Sequence, residues 1–156
     1  MRNLIVALFI LVLVSCGHQQ TGHVVYNSDK VNKGGPTDIE FENYIVDFEI
    51  RTGADVSHVP VQFGDLDNDR VGVCYSWASG ARKIVIDRNQ WYNRITELQR
   101  EALMWHELGH CGLNFGHNDT VRPDRCPVHI MNWQLISHFC YNKNYDDYIR
   151  RFLEDM

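Results

Sequence analysis

The run HELGHCGLNFGH, residues 106–117, places three imidazoles and one carboxylate at spacings that chemistry can use. His106 and His110 are four residues apart, so on a helix they share one face, with Cβ atoms about 5–6 Å apart, and two ring nitrogens can reach one metal ion. Glu107 follows the first histidine and stands where a general base would take a proton from water at an open metal position. His117, seven residues beyond His110, returns as a third ligand once the chain has left the helix. Gly112, Asn114 and Gly116 are residue types that permit such a reversal. Asp119 and His129 are the reserve candidates for third ligand. The pattern is that of a zinc hydrolase, with one catalytic zinc as cofactor.

Together with Ile130, Met131 and Asn132 downstream, the run resembles the metzincin metallopeptidases. Their signature is HExxHxxGxxH followed by a methionine-containing turn beneath the zinc. The resemblance implies that His106, His110 and His117 bind zinc and that Glu107 is general base and general acid. It further implies that Met131 is the turn methionine and that the substrate is a peptide or protein. It covers residues 95–135 in motifs and the rest of the chain in element order. Leu113 stands where the family has glycine, and the third histidine arrives one residue later than in the signature, a residue that Gly112, Asn114 or Gly116 would have to absorb. Trp133 stands two residues after the methionine, where some members carry a tyrosine. An indole N–H donates a hydrogen bond but does not ligate zinc, so oxyanion stabilisation falls to the metal and a donor not identifiable from sequence. Some metzincins also bind structural calcium. Asp65, Asp67 and Asp69 alternate as in a calcium loop, but Arg70 replaces the required glycine and Ser76 the required glutamate, which favours a solvated acidic turn.

A binding-module alternative uses the same histidines. A non-catalytic envelope lipoprotein would hold zinc structurally, with Asp119 or His129 closing a four-ligand site. Glu107 beside the first ligand disfavours it, because a structural site has no use for a general base.

The N-terminus indicates where this chemistry takes place. Arg2 precedes eleven apolar residues, Leu4 to Val14, too short a run to span a bilayer but matching a signal-peptide core. Leu13-Val14-Ser15-Cys16 resembles the bacterial lipobox, which implies a signal peptide over residues 1–15, lipidation of Cys16, and a protein anchored in the cell envelope facing out of the cytoplasm. Residues 17–36 are rich in Gly, Asn, Gln and Ser and read as a tether. They contain no cysteine for a switch of the matrixin kind. Four further cysteines, Cys74, Cys111, Cys126 and Cys140, fit two disulfides in an oxidising compartment, with three pairings open. A disulfide at Cys111 would tie the metal-bearing segment to another element. The balance of 15 basic against 20 acidic residues and the absence of a basic block argue against nucleic acid as a partner. A monomer is the default expectation.

The elements that must position the site follow from periodicity over residues 37–156, a length that suits one domain. Thr37 and Glu40 read as a capping box for a helix carrying Phe41, Tyr44, Ile45 and Phe48 and ending near Gly53. Val59 to Phe63, Val71 to Trp77 and Lys83 to Asp87 read as strands, with a turn at residues 79 and 80. Thr96 and Gln99 form a second capping box. It opens the metal helix, with Leu98, Ala102 and Trp105 on a packing face and Leu103, His106 and His110 on another. Tyr145, Tyr148, Ile149, Phe152 and Leu153 give a final amphipathic helix. The expected fold class is α+β: a minimal zincin-like domain, with a small twisted sheet packed on an amphipathic helix and an active-site helix, and a C-terminal helix. His58 and His138 lie outside the motif and read as surface histidines. Trp77, Trp91 and Trp133 read as core before cleft.

Overall fold

Among the described residues, four strands form one mixed sheet in the order β1-β3-β4-β2, and five α-helices accompany it. A computed structural model describes residues 24–25, 35–67 and 69–156. The expected signal peptide and Cys16 lie outside the described residues, as does the expected tether up to residue 34 apart from 24–25. β1 (Val24–Val25) pairs in parallel with β3 (Gly72–Ser76). β3 runs antiparallel to β4 (Arg82–Asp87), from Gly72 opposite Ile86 to Ser76 opposite Arg82. β2 (Val61–Gly64) runs parallel to β4 on its far side. The three longer strands fall where the β-branched and aromatic runs predict them. The β3–β4 hairpin turns through Gly80 at φ 84°, with the Gly80 N–H on the Trp77 carbonyl.

α1 (Glu42–Thr52) buries Phe48 completely and packs Tyr44 and Ile45 against the core, and Phe41, immediately before it, is also fully buried, so the predicted apolar face is kept. It ends at Gly53 in the left-handed region. Its start differs from expectation. A short 3-10 turn, Ile39–Phe41, precedes it, and Thr37 accepts from Val61 N–H instead of capping the helix. Asp38 likewise accepts from Phe63 N–H. The polar residues before α1 thus satisfy the end of β2, a long-range use that a capping-box spacing does not disclose.

α3 (Glu97–Leu113) does open with the expected capping box, Thr96 and Gln99 bonding reciprocally. It is the hub of the domain, in contact with β3, β4, α1 and α4. Behind it, Trp105 meets Phe48 of α1 at 5.0 Å between ring centroids and Phe152 of α5 (Tyr145–Glu154) at 5.0 Å, both edge-on. This arrangement is favoured by the ring quadrupoles and holds three helices against one another. Trp91 is fully buried and Trp77 nearly so, whereas Trp133 is 46% exposed. Two short helices, α2 (Arg88–Asn93) and α4 (His138–Lys143), were not foreseen, being six residues each and without a full amphipathic period. Disulfides join Cys74 to Cys111 and Cys126 to Cys140, one of the three possible pairings. Among the described residues no helix is long and apolar enough to cross a membrane.

Candidate metal centre

One face of α3 brings the half-buried His106 and the buried His110 into register, and the chain beyond the helix returns His117 to them. The His110 Nε2 stands 3.0 Å from His106 Nε2 and 3.0 Å from His117 Nε2. These three form the one set of His, Cys, Asp or Glu side chains among the described residues that is gathered closely enough to hold a metal ion. The return works because Asn114 caps the helix at φ 61°, ψ 29°, so the residue that exceeds the motif spacing is absorbed at asparagine and not at either flanking glycine. Arg82 reaches over from β4 and donates to the Cys111 carbonyl at 2.6 Å and to Asn114 Oδ1 at 3.4 Å. It places a cation where the helix dipole is negative and fixes the exit of the chain.

The outer nitrogens decide the chemistry of the inner ones. His106 Nδ1 lies 3.0 Å from the Ile130 carbonyl, and His110 Nδ1 lies 2.7 Å from the Phe115 carbonyl. A carbonyl only accepts, so both Nδ1 atoms carry hydrogen, and the Nε2 atoms of the neutral rings present lone pairs. Burial and the neighbouring imidazoles push the His106 pKa down to about 3, so the ring is neutral near pH 7. Burial also lowers the pKa of His117. Lone pairs facing each other at 3.0 Å repel unless a cation lies among them. The donor set therefore fits a divalent metal ion held by three imidazoles, two of which, His106 and His110, have their second nitrogens anchored to backbone as metal-bound histidines usually do.

Met131 lies beneath. A Cβ at Gly109 would stand 2.7 Å from Met131 Sδ, so glycine within HELGH lets the methionine turn press directly on the metal helix. The turn is tied on its other side to the segment after His117: Asn118 N–H donates to the Met131 carbonyl at 2.8 Å, and Trp133 N–H donates to Asp119 Oδ1 at 3.2 Å. Asp119 is thereby committed to the turn. His129 is buried, its Nδ1 accepting from Met131 N–H and its Nε2 3.4 Å from an Asp155 carboxylate oxygen. Neither reserve candidate joins the cluster. Asp65, Asp67 and Asp69 are exposed and do not gather as a ligand set. His58 and His138 are exposed, the latter bonding Thr96.

Glu107 is buried beside the cluster and accepts a hydrogen bond from Cys74 N–H on β3. Desolvation outweighs that bond and raises its pKa from 4.5 to about 8. Gly72, two residues earlier on β3, is the residue that sequence reading passes over. A Cβ there would lie 2.8 Å from Glu107 Oε1, so the strand approaches this closely only because the position is glycine. Alongside His106 and Glu107 opens a cavity of about 400 Å³. Val71, Ala102, Leu103, Leu135 and Ile136 form apolar walls, and Trp133 is among the residues that line it. A buried carboxylate, a three-histidine cluster that could hold a metal ion and an adjoining cavity with apolar walls thus stand side by side. The chain matches no family model, and no curated protein or solved structure is significantly similar to it.

Proposed function

We propose that the chain is a zinc-dependent peptidase of the metzincin type, working outside the cytoplasm. The observation that carries this reading is the convergence of three imidazole Nε2 atoms next to a buried glutamate. Two nitrogens on one tetrahedral zinc stand roughly 3.3 Å apart, given Zn–N distances of about 2.0–2.1 Å, close to the 3.0 Å separations found here. Three protein ligands leave a fourth position for reaction, whereas a structural site is closed. When bound, zinc supplies Lewis acidity, polarising a carbonyl and acidifying water. Glu107 takes the proton of the attacking water and delivers it to the leaving nitrogen. Its desolvated site keeps it basic enough for the first transfer, and Cys74 N–H orients the carboxylate. The Ile130 carbonyl holds His106 in position, and Met131 packs against the same helix at Gly109. Two disulfides suit an oxidising compartment, and the lipobox-like segment ending at Cys16 suits anchoring in a bacterial envelope.

The test is metal content of the purified protein, wild type beside His117→Ala, with cleavage of a mixed peptide library on the same samples. About one zinc per chain is expected in the wild type, together with cleavage that a chelator abolishes. The variant is expected to lose most of its zinc and its cleavage. Zinc retained without His117 would remove that residue from the ligand set, and zinc bound without any cleavage would favour a structural or binding role.

Gly72→Ala is expected to keep the zinc and to lower kcat/KM by about 10²-fold, the scale of an ångström-level misplacement of a catalytic group. Its Cβ must displace Glu107 or Leu103, whose Cδ1 lies 3.0 Å away. Unchanged kcat/KM in this variant would mean that Glu107 tolerates movement and is not positioned by β3.

A further inference from the structure

Arg70 is the one lysine or arginine lining the cavity beside Glu107. It is half-buried, yet it makes no hydrogen bond or ion pair with any described residue. The other described arginines differ. Arg51, Arg122, Arg150 and Arg151 hold carboxylates. Arg82 and Arg100 hold backbone carbonyls, Arg88 lies over the Phe63 ring, and Arg94 and Arg125 are exposed. A partly buried guanidinium that holds no described residue is available to an anion entering the cavity.

We propose that Arg70 recognises a carboxylate of the substrate on the leaving-group side of the scissile bond, so that this enzyme prefers peptides with an anion just beyond the cleavage point. The inference rests on the peptidase reading. The side follows from the lining: the cavity touches His106 and Glu107 but not His117, and Glu107 is the group that must hand its proton to the leaving nitrogen. Whatever occupies the cavity therefore belongs to the departing portion. Val71, Ala102, Leu103, Leu135 and Ile136 lower the local dielectric around the pair, and the planar fork of Arg70 matches a carboxylate with two parallel hydrogen bonds. Asp69 also lines the cavity, but it is exposed, where water and salt screen it. The carboxylate comes either from a free C-terminus or from an Asp or Glu side chain, and the chemistry at Arg70 is the same for both.

The test is calorimetric titration of the zinc-loaded full chain carrying Glu107→Gln, which does not consume its ligands, alone and combined with Arg70→Gln or Arg70→Lys. N-acetylphenylalanine against its amide reads the C-terminal source. The α-amide of N-acetylglutamic acid against that of N-acetylglutamine reads the side-chain source. The acid is expected to bind on the order of 10- to 100-fold more tightly than its neutral counterpart in at least one pair. Arg70→Gln should erase the difference, and Arg70→Lys should retain part of it. The pair that shows it names the source. Equal binding of acid and neutral ligand, binding of neither, or a preference that survives Arg70→Gln because zinc itself takes the carboxylate, would overturn the proposal. A preference that depends on Arg70 in a wild-type protein that cleaves no peptide would instead sink the peptidase reading alone.

Discussion

Glu107→Gln should leave zinc content unchanged, lower kcat/KM for peptide hydrolysis by a factor on the order of 10³, and make the metal-free protein more stable at neutral pH. The first two effects follow from removing a proton carrier that is not a ligand. Glutamine keeps the shape and can still accept from Cys74 N–H, but it takes no proton, and general acid–base catalysis is worth about 10²–10⁴-fold. The third follows from burial. Without a cation nearby, the folded chain holds the Glu107 proton up to about pH 8, whereas the unfolded chain releases it near pH 4.5. Between those values the folded state binds more protons than the unfolded state, so stability falls as pH rises. At about 1.4 kcal/mol per pKa unit, the penalty accumulated by pH 8 amounts to a few kcal/mol, and glutamine does not incur it. Urea unfolding of the chelated proteins at pH 5 and pH 8 measures this directly. The variant's advantage should be small at the lower pH and large at the upper one. Full hydrolytic activity in the variant would end the proposed mechanism, and a stability gain independent of pH would mean that Glu107 is not held in its neutral form.

The same glutamate shows which parts of the site were legible in the sequence. The pattern HELGH reports on itself, because four-residue spacing on a helix fixes which side chains share a face, and the Thr96–Gln99 capping box marks where that helix starts. His117 was legible as a candidate, but its arrival one residue beyond the motif was resolved only by the left-handed Asn114 and by the grip of Arg82 on the end of α3. The partners that define the chemistry were not legible. His106 is set by the carbonyl of Ile130, Glu107 by the N–H of Cys74 and by the missing side chain of Gly72. Backbone groups carry no residue-type signature, and a glycine in a strand has several explanations until the neighbour that needs the space is known. Arg70 was noticed only as a misfit in a calcium loop. Its meaning depends on being half-buried without a partner, which is a property of the assembled surface. The pattern of apolar residues was enough to place β2, β3, β4, α1, α3 and α5. The six-residue helices α2 and α4 are too short to carry a period.

Replacing Cys74 and Cys111 together by serine should destabilise the domain more than replacing Cys126 and Cys140 and should also impair the site. The bridged cysteines are separated by 37 and 14 positions respectively. The loop-entropy relation then gives about 4 kcal/mol for the first bridge and about 3 kcal/mol for the second. The stability difference is modest, but the functional difference should be large. Cys74 provides the N–H that Glu107 accepts, and Cys111 adjoins His110 on the metal helix, so this bridge clamps the strand that orients the base to the helix that carries the ligands. Cys126–Cys140 instead joins the loop before Met131 to α4 and includes neither Glu107's donor nor a neighbour of the three histidines. With zinc bound, the 74/111 variant should melt on the order of 15 °C lower, and below that temperature it should show reduced kcat with an altered pH profile, because the hydrogen bond that pulls the Glu107 pKa down is no longer held in place. The 126/140 variant should melt lower without a change in the pH profile. If both variants lose activity only in proportion to the fraction unfolded, the Cys74–Cys111 bridge is a staple for the fold and takes no part in aligning the base.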